Sequence, residues 1–178
     1  MSIQPRPYTV LCGGLGGSRF VDALARAAGP EQLTAVVNVG DDVEILGLHV
    51  SPDLDTVLYT LAGLANVATG WGLRDETWSA GAMLERYGQE TWFSLGDRDI
   101  ATHLVRSKRM RGGARLTEVE AELATALGVG ARLLPMTDDI VRTKLRTDEG
   151  WLAFQDYFVR RHHTDDVHEV HVHGIEHA

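Results

Sequence analysis

Cysteine is almost missing: Cys12 stands alone, so no intrachain disulfide framework is possible, and a reducing compartment is expected. Long apolar runs are missing too. None approaches the roughly 20 residues that span a bilayer, so no membrane partner is expected. The opening Met1-Ser2-Ile3-Gln4-Pro5-Arg6-Pro7 has no apolar stretch and does not read as a secretory signal; a cytoplasmic location is expected. Positive charge is short. Seventeen Lys and Arg face twenty-five Asp and Glu, a formal net charge of −8, which repels phosphate backbones and argues against general nucleic-acid binding. Repeats and low-complexity linkers are absent.

What remains is ordinary globular material. The 178 residues, 44% hydrophobic and 24% charged, suit one folded unit with a substantial core and exclude disorder, collagen and coiled coil. Tyr8 to Cys12 is a short apolar run that leads into Gly13-Gly14-Leu15-Gly16-Gly17-Ser18. Phe20 to Ala28 has helical periodicity and stops at Gly29-Pro30. Leu33 to Val39 is a second, valine-rich run broken by Gly40-Asp41-Asp42. Strand, glycine loop, helix, strand is the opening of a parallel sheet, and it predicts a Rossmann-like, doubly wound, mainly parallel α/β fold.

Further helices are expected from Ser51-Pro52-Asp53 to about Gly63, over Thr77 to Tyr87, and from Gly96-Asp97-Arg98-Asp99 to Arg111. A capping box at Thr117-Glu118-Val119-Glu120 predicts another. Arg132 to Met136, Val141 to Thr147, Trp151 to Val159 and Val167 to Val172 read as strands. The pair around Asp148-Glu149-Gly150 would be an antiparallel addition.

Three features carry chemistry. Gly13, Gly14, Gly16 and Gly17 between strand and helix suit backbone contact with a phosphate, although neither a dinucleotide fingerprint nor a Walker loop is present. A tight strand-to-helix turn is the alternative. Asp41 and Asp42 follow a strand directly, and Asp53 and Asp55 open a helix. Carboxylates at a strand's C-terminal edge are placed to bind ligands, and Mg²⁺ takes one or two of them with phosphate and water. Turn chemistry and helix-end charge are the alternatives. In Gly96-Asp97-Arg98-Asp99, Arg98 could hold an anion and Asp97 could cap a helix. Asp138-Asp139 could be another strand-edge pair or a turn. Six of the eight histidines lie between His162 and His177 in no convincing metalloenzyme spacing.

Taken in order, Gly-Gly-x-Gly-Gly, Val36 to Asp42, Ser51 to Tyr59, Gly70-Trp71-Gly72, Leu95 to His103, Leu134 to Asp139 and Phe154 to Phe158 resemble the 2-phospho-L-lactate transferases of deazaflavin coenzyme F-420 biosynthesis. The resemblance runs from about Tyr8 to the end. It implies transfer of a phospholactyl or phosphoenolpyruvyl group from a guanosine diphospho donor to 7,8-didemethyl-8-hydroxy-5-deazariboflavin, with Mg²⁺ and release of GMP. It implies Asp41 and Asp55 as metal and acceptor contacts, with Asp41, Asp42 or Asp55 available as a base. The acceptor pocket is expected at Asp55, Trp71 and Ser94, with Asp97 and Arg98 alongside. Family members often carry a basic residue at Ser94, which leaves a charge contact there unsupported.

The resemblance also implies a chain nearly twice this length. Residues 1–178 are then the N-terminal part of a single α/β transferase domain. Self-association, or pairing with a chain that supplies the other half, is expected. A nucleotide-sugar-binding regulator of a related branch, sharing the glycine cluster, is the alternative; the blocks Ser51 to Tyr59 and Gly96 to Asp99 favour the transferase.

Overall fold

The computed structural model describes residues 6–178; Met1 to Pro5, most of the stretch read against a secretory signal, lie outside it. Strand β1 (Tyr8–Cys12) leads into helix α1 (Gly14–Ala28), and β2 (Leu33–Val37) returns parallel to β1, with Val10 beside Ala35 and Cys12 beside Val37. Strand β5 (Arg132–Pro135) adds to the far side of β2, also parallel, giving the order β1-β2-β5.

Between β2 and β5 come the hairpin β3 (Val43–Ile45) and β4 (Leu48–Val50), then helices α2 (Pro52–Leu61), α3 (Ser79–Arg86), α4 (Asp97–Arg111) and α5 (Leu116–Ala126). Strands β6 (Arg142–Thr147), β7 (Gly150–Ala153) and β8 (Glu169–His173) form the expected antiparallel addition, ordered β7-β6-β8. The fold is a parallel α/β sheet with flanking helices.

Periodicity explains the core. Val10, Ala35 and Leu133 align across the three parallel strands and meet Val21 and Ala25 of α1, Leu54, Val57 and Leu58 of α2, and Leu116 and Ala124 of α5 in one cluster. Each fully buried aliphatic side chain contributes about 1.5–3 kcal/mol. Alternation sends Leu11 to the other face of the sheet, where it is 73% exposed. Strand β1 has no outer neighbour among the described residues.

The elements differ from the sequence reading in five places. Helix α1 starts at Gly14, not Phe20, so Gly14, Gly16 and Gly17 form its first turn and only Gly13 is extended linker. Gly17 permits close packing, since a side chain there would press on Cys12. Strand β2 ends at Val37, because Asn38 turns its side chain back to the Gly40 N–H. The β3–β4 hairpin was not foreseen; it turns on Leu46 and Gly47, both at positive φ (51° and 73°), as a type I′ turn needs. The capping box belongs to Arg115 and Glu118, not Thr117 and Glu120: the Arg115 N–H donates to Glu118, and Glu120 is buried instead. The run Trp151 to Val159 is strand only to Ala153, and Asp156–Arg160 winds into a π-helical turn.

An exposed apolar face beside an open strand edge is a template for association. Light scattering is expected to show the 178-residue chain self-associating, and Leu11→Glu is expected to shift it toward monomer with unchanged circular dichroism. A wild-type chain that stays monomeric at high concentration would contradict this.

Candidate active site at the carboxyl edge of the parallel sheet

The β1 and β2 ends meet α1 and α2 at one edge, and a single side chain organises it. Asn38 follows β2 directly; its N–H donates to the Cys12 carbonyl at 2.9 Å. Its Oδ1 accepts from the Gly40 N–H at 3.0 Å, which fixes the amide so that Nδ2 points outward. That Nδ2 donates to Asp41 Oδ1 at 3.1 Å and to Asp53 Oδ2 at 3.0 Å. Two carboxylates therefore flank one amide nitrogen.

Asp41 is 8% exposed. Its other oxygen and its own carbonyl accept from Gln155 Nε2 at 3.2 and 3.1 Å. Gln155 stands between β7 and the π-helical turn, so the antiparallel unit closes the site from the far end of the chain. Burial, reinforced by the negative charges of Asp53 and Asp42, pushes the Asp41 carboxyl up to about 8. Asp53 is also raised, by burial first, although hydrogen bonds from Asn38 and the Gly14 N–H oppose the shift. A side chain at Gly13 would collide with the Asp53 carboxylate. Gly13 and Gly14, read as phosphate contacts, also give space and an N–H to Asp53, and a side chain at Gly16 would meet open space.

Asp42 lies beside them but is anchored. One oxygen accepts from Ser51 Oγ at 2.9 Å and contacts His49 Nε2 at 2.8 Å, with Arg142 at 4.0 Å. Its Oδ1 is buried without a hydrogen-bond partner among the described residues.

Asp55 is placed elsewhere than the sequence reading supposed. Both its oxygens are taken by the fully buried guanidinium of Arg106, one at 3.1 Å. Arg106 Nε donates to the equally buried Glu120 at 2.7 Å. His103 lies 3.7 Å from Asp55 and 3.3 Å from Asp99, and the Tyr59 hydroxyl donates to Asp99 at 2.6 Å. Burial opposes the Arg106 charge, but Asp55 and Glu120 outweigh it and hold the guanidinium ionised. Among the acids considered, the structure brings Asp41 to Asp53, and it turns Asp55 into the interior.

Asp97 and Arg98 serve two neighbouring helix starts. Asp97 accepts from Thr77 Oγ1 at 2.6 Å and from the Ser79 and Ala80 N–H groups at 3.1 and 2.9 Å, capping α3 and lowering its own pKa. Glu76, which sequence reasoning missed, reciprocates at α4 by accepting from the Arg98 and Asp99 N–H groups at 2.8 and 3.2 Å. The Arg98 guanidinium donates to the Arg74 carbonyl at 2.8 Å. Asp138 accepts from the Thr117 N–H at the start of α5, 2.7 Å away.

A cleft of about 170 Å³ opens beside the acid edge, between α1, α2 and the loop of residues 65–72; Leu15, Arg19, Thr56, Thr60, Asn66 and Trp71 line it. Trp71 is 49% exposed and meets Trp78 edge to face at 6.1 Å. Ser94 is exposed and makes no side-chain hydrogen bond among the described residues. Cys12 is driven up to about 11 by burial and by Asp53, so it stays an inert thiol. Among the described residues no three His, Cys, Asp or Glu side chains converge as a metal cage, the histidine-rich end included.

A parallel α/β sheet with buried acids at its carboxyl edge and a neighbouring cleft is the build of a ligand-binding or group-transfer protein of the α/β class. Comparison with known proteins narrows that class. The pattern of the family described as 2-phospho-L-lactate transferase CofD matches residues 8–177, and the chain belongs to this family. It is 49% identical over 166 residues to a phosphoenolpyruvate transferase of Kitasatospora aureofaciens, which covers 90% of this chain and 52% of that protein. It is 45% identical over 178 residues to one of Mycobacterium avium (strain 104), covering 85% and 53%. The chain thus spans about half the length of the curated relatives it matches. A crystal structure of a UPF0052 family protein from Bacillus halodurans shares the fold, with a TM-score of 0.57 at 16% identity over 96% of this chain and 52% of the other.

Two outcomes follow from this geometry. Arg106→Met leaves Asp55 and Glu120 buried without a counter-charge and is expected to cost about 3–5 kcal/mol in urea unfolding. A loss under 1 kcal/mol would mean that solvent reaches these groups. Asp41 has a folded pKa above its unfolded one, so the stability it contributes is full below about 3.8 and is lost as pH rises through about 8. Asp41→Asn is therefore expected to melt higher than wild type at pH 8 without divalent metal, and no higher at pH 3.5. Equal melting temperatures at pH 8 would refute the raised pKa.

Proposed function

We propose that this chain supplies the acid edge and the acceptor cleft of a transferase that moves a phospholactyl or phosphoenolpyruvyl group from a guanosine diphospho donor to 7,8-didemethyl-8-hydroxy-5-deazariboflavin. The observation that carries the reading is the Asp41–Asn38–Asp53 cluster at the sheet edge of a chain belonging to this family.

The acceptor's terminal ribityl hydroxyl forms a new P–O bond to the phosphorus bearing the lactyl or enolpyruvyl group. The bond from that phosphorus to the GMP phosphate breaks, and GMP leaves with the electron pair. The hydroxyl proton goes to the Asp41 carboxylate. Asp42 and Asp55, both anchored, position rather than react.

The residues fit a hard divalent ion better as Asp41 with Asp53 than as Asp41 with Asp55. The first pair presents oxygen donors that lack a cation beside them, whereas Arg106 already neutralises Asp55. Mg²⁺ suits two carboxylates completed by phosphate and water. When bound it would neutralise the diphosphate charge.

Orientation is the other contribution of this chain. Asp53, Thr56 and Thr60 share one face of α2 by their spacing, so the cleft and the acid edge lie along the same helix, one to two turns apart, each turn about 5.4 Å. A flat ring stacked on Trp71 would send its ribityl chain along that face toward Asp53 and Asp41. Holding hydroxyl and phosphorus in line then supplies much of the rate gain.

Calorimetry with GDP and Mg²⁺ is the test of the acid edge. Asp41→Asn and Asp53→Asn are each expected to abolish the Mg²⁺-dependent part of nucleotide binding, and unchanged Mg²⁺ dependence in both would sink the assignment. For the cleft, Trp71→Ala is expected to weaken deazaflavin binding about tenfold, from the usual worth of one stacking face. Equal affinities would remove Trp71 from the pocket.

A further inference from the structure

The cleft beside Trp71 holds one uncommitted charge. Arg19 lies one turn after Leu15 on the same face of α1, and both line the cleft. The acid that could neutralise it is engaged: Asp22, also on the cleft wall, accepts from Arg26 Nε at 2.9 Å. Arg19 itself makes no hydrogen bond and no ion pair among the described residues, while most of the other arginines are paired. The remaining lining is apolar or neutral: Leu15 of α1, Thr56 and Thr60 of α2, and Asn66, Val67 and Trp71 of the loop. A guanidinium at the rim of an apolar slot with an aromatic face selects a flat ring carrying an acidic oxygen on its edge. The ring stacks, and the oxygen takes a charge-assisted hydrogen bond from the planar fork.

Resting on the acceptor reading above, we infer that Arg19 is a specificity-determining residue, which binds the ring hydroxyl of the deazaflavin in its ionised form. That hydroxyl is conjugated through the ring system to the carbonyls of the pyrimidine ring. It is a vinylogous acid, and its anion spreads charge to both ends of the ring. A cation beside it favours the anion, as it does for any neighbouring acid. The slot then distinguishes this ring from a flavin-like ring without the hydroxyl, which would leave the guanidinium without a partner.

The loop that completes the cleft is held by its own hydrogen bonds. Asn66 Oδ1 accepts from the Ala68 N–H at 3.1 Å, the Asn66 N–H donates to the Gly72 carbonyl at 3.0 Å, and Thr69 Oγ1 donates to the Trp71 carbonyl at 2.7 Å. A side chain on Gly70 would press against Leu15, so the loop is seated directly on α1. The distance from Trp71 to Arg19 is thus set by internal contacts and not by the ligand.

The experiment is a titration of the 8-hydroxy-deazaflavin into the 178-residue chain and into Arg19→Gln and Arg19→Lys, followed by ring absorbance, with 5-deazariboflavin lacking the hydroxyl as the comparison ligand. Arg19 is exposed, so the variants keep their fold. Wild type is expected to bind the hydroxylated ring about tenfold more tightly than Arg19→Gln and to shift its spectrum toward the anion. Arg19→Lys should fall between. The ring without the hydroxyl should bind wild type and Arg19→Gln equally, which isolates the pairwise interaction.

Equal affinity and equal ring ionisation in wild type and Arg19→Gln would overturn the inference while leaving the acceptor reading intact. Loss of inorganic pyrophosphate binding in Arg19→Gln, with ring binding unchanged, would give the guanidinium to the donor and overturn it as well. No ring binding by wild type would fell the acceptor reading, and this assignment with it.

Discussion

A buried guanidinium holds the architecture of the site. Arg106 has no exposure, yet it carries a full charge because Asp55 and Glu120 grip it from two other helices. Taking three charged groups out of water is costly, and only close pairing offsets that cost. Once formed, the triad fixes α2 against α4 and α5. His103, Asp99 and Tyr59 extend it along the same faces. The first turn of α2 therefore cannot move independently of the interior, and that turn carries Asp53 to the sheet edge.

The edge works in the opposite sense. There the carboxylates of Asp41 and Asp53 are brought together with only an amide between them, and burial raises the pKa of both, that of Asp41 to about 8. A structure selected for stability alone would place a cation or a hydrophobic group at this position. Local cost of this kind is what functional sites carry, with the rest of the fold holding it in place. The two halves of α2's first turn thus have contrasting surroundings. Asp55 is neutralised and structural, whereas Asp53 is crowded and open to a ligand.

The contacts that complete the edge come from distant parts of the chain. Gln155 is separated from Asp41 by 114 positions and reaches it because the β7–β6–β8 unit folds back over the carboxyl ends of the parallel strands. The Trp71 loop likewise docks on α1 through Gly70 and Leu15. The cleft and the acid edge share α1 and α2 as common walls. That is the reason a ligand occupying one would lie along the path to the other.

Much of this was legible in the amino-acid order. A short apolar run and a valine-rich run on either side of a glycine-marked helix dictated parallel β1 and β2. Ser51-Pro52 and Gly96-Asp97 marked the starts of α2 and α4, because proline at the first helical position and acids in the first turn are local signals; their side-chain caps were not legible, since Ser51 bonds Asp42 and α4 is capped by Glu76. The acids at the end of β2 could be read as edge residues for the same local reason. The orientation of the acids on α2 could not be read in this way. Asp53 and Asp55 lie two positions apart, about 200° around a helix of 3.6 residues per turn, so only one of them can face the sheet edge while the other enters the interior. Which one does so depends on where Arg106 and Glu120 sit, and those lie 51 and 65 positions beyond Asp55 on helices whose docking no local pattern encodes. Sequence alone thus specified a pair of candidate carboxylates, and tertiary packing chose between them, because helix phase is local but the counter-charge that sets it is not.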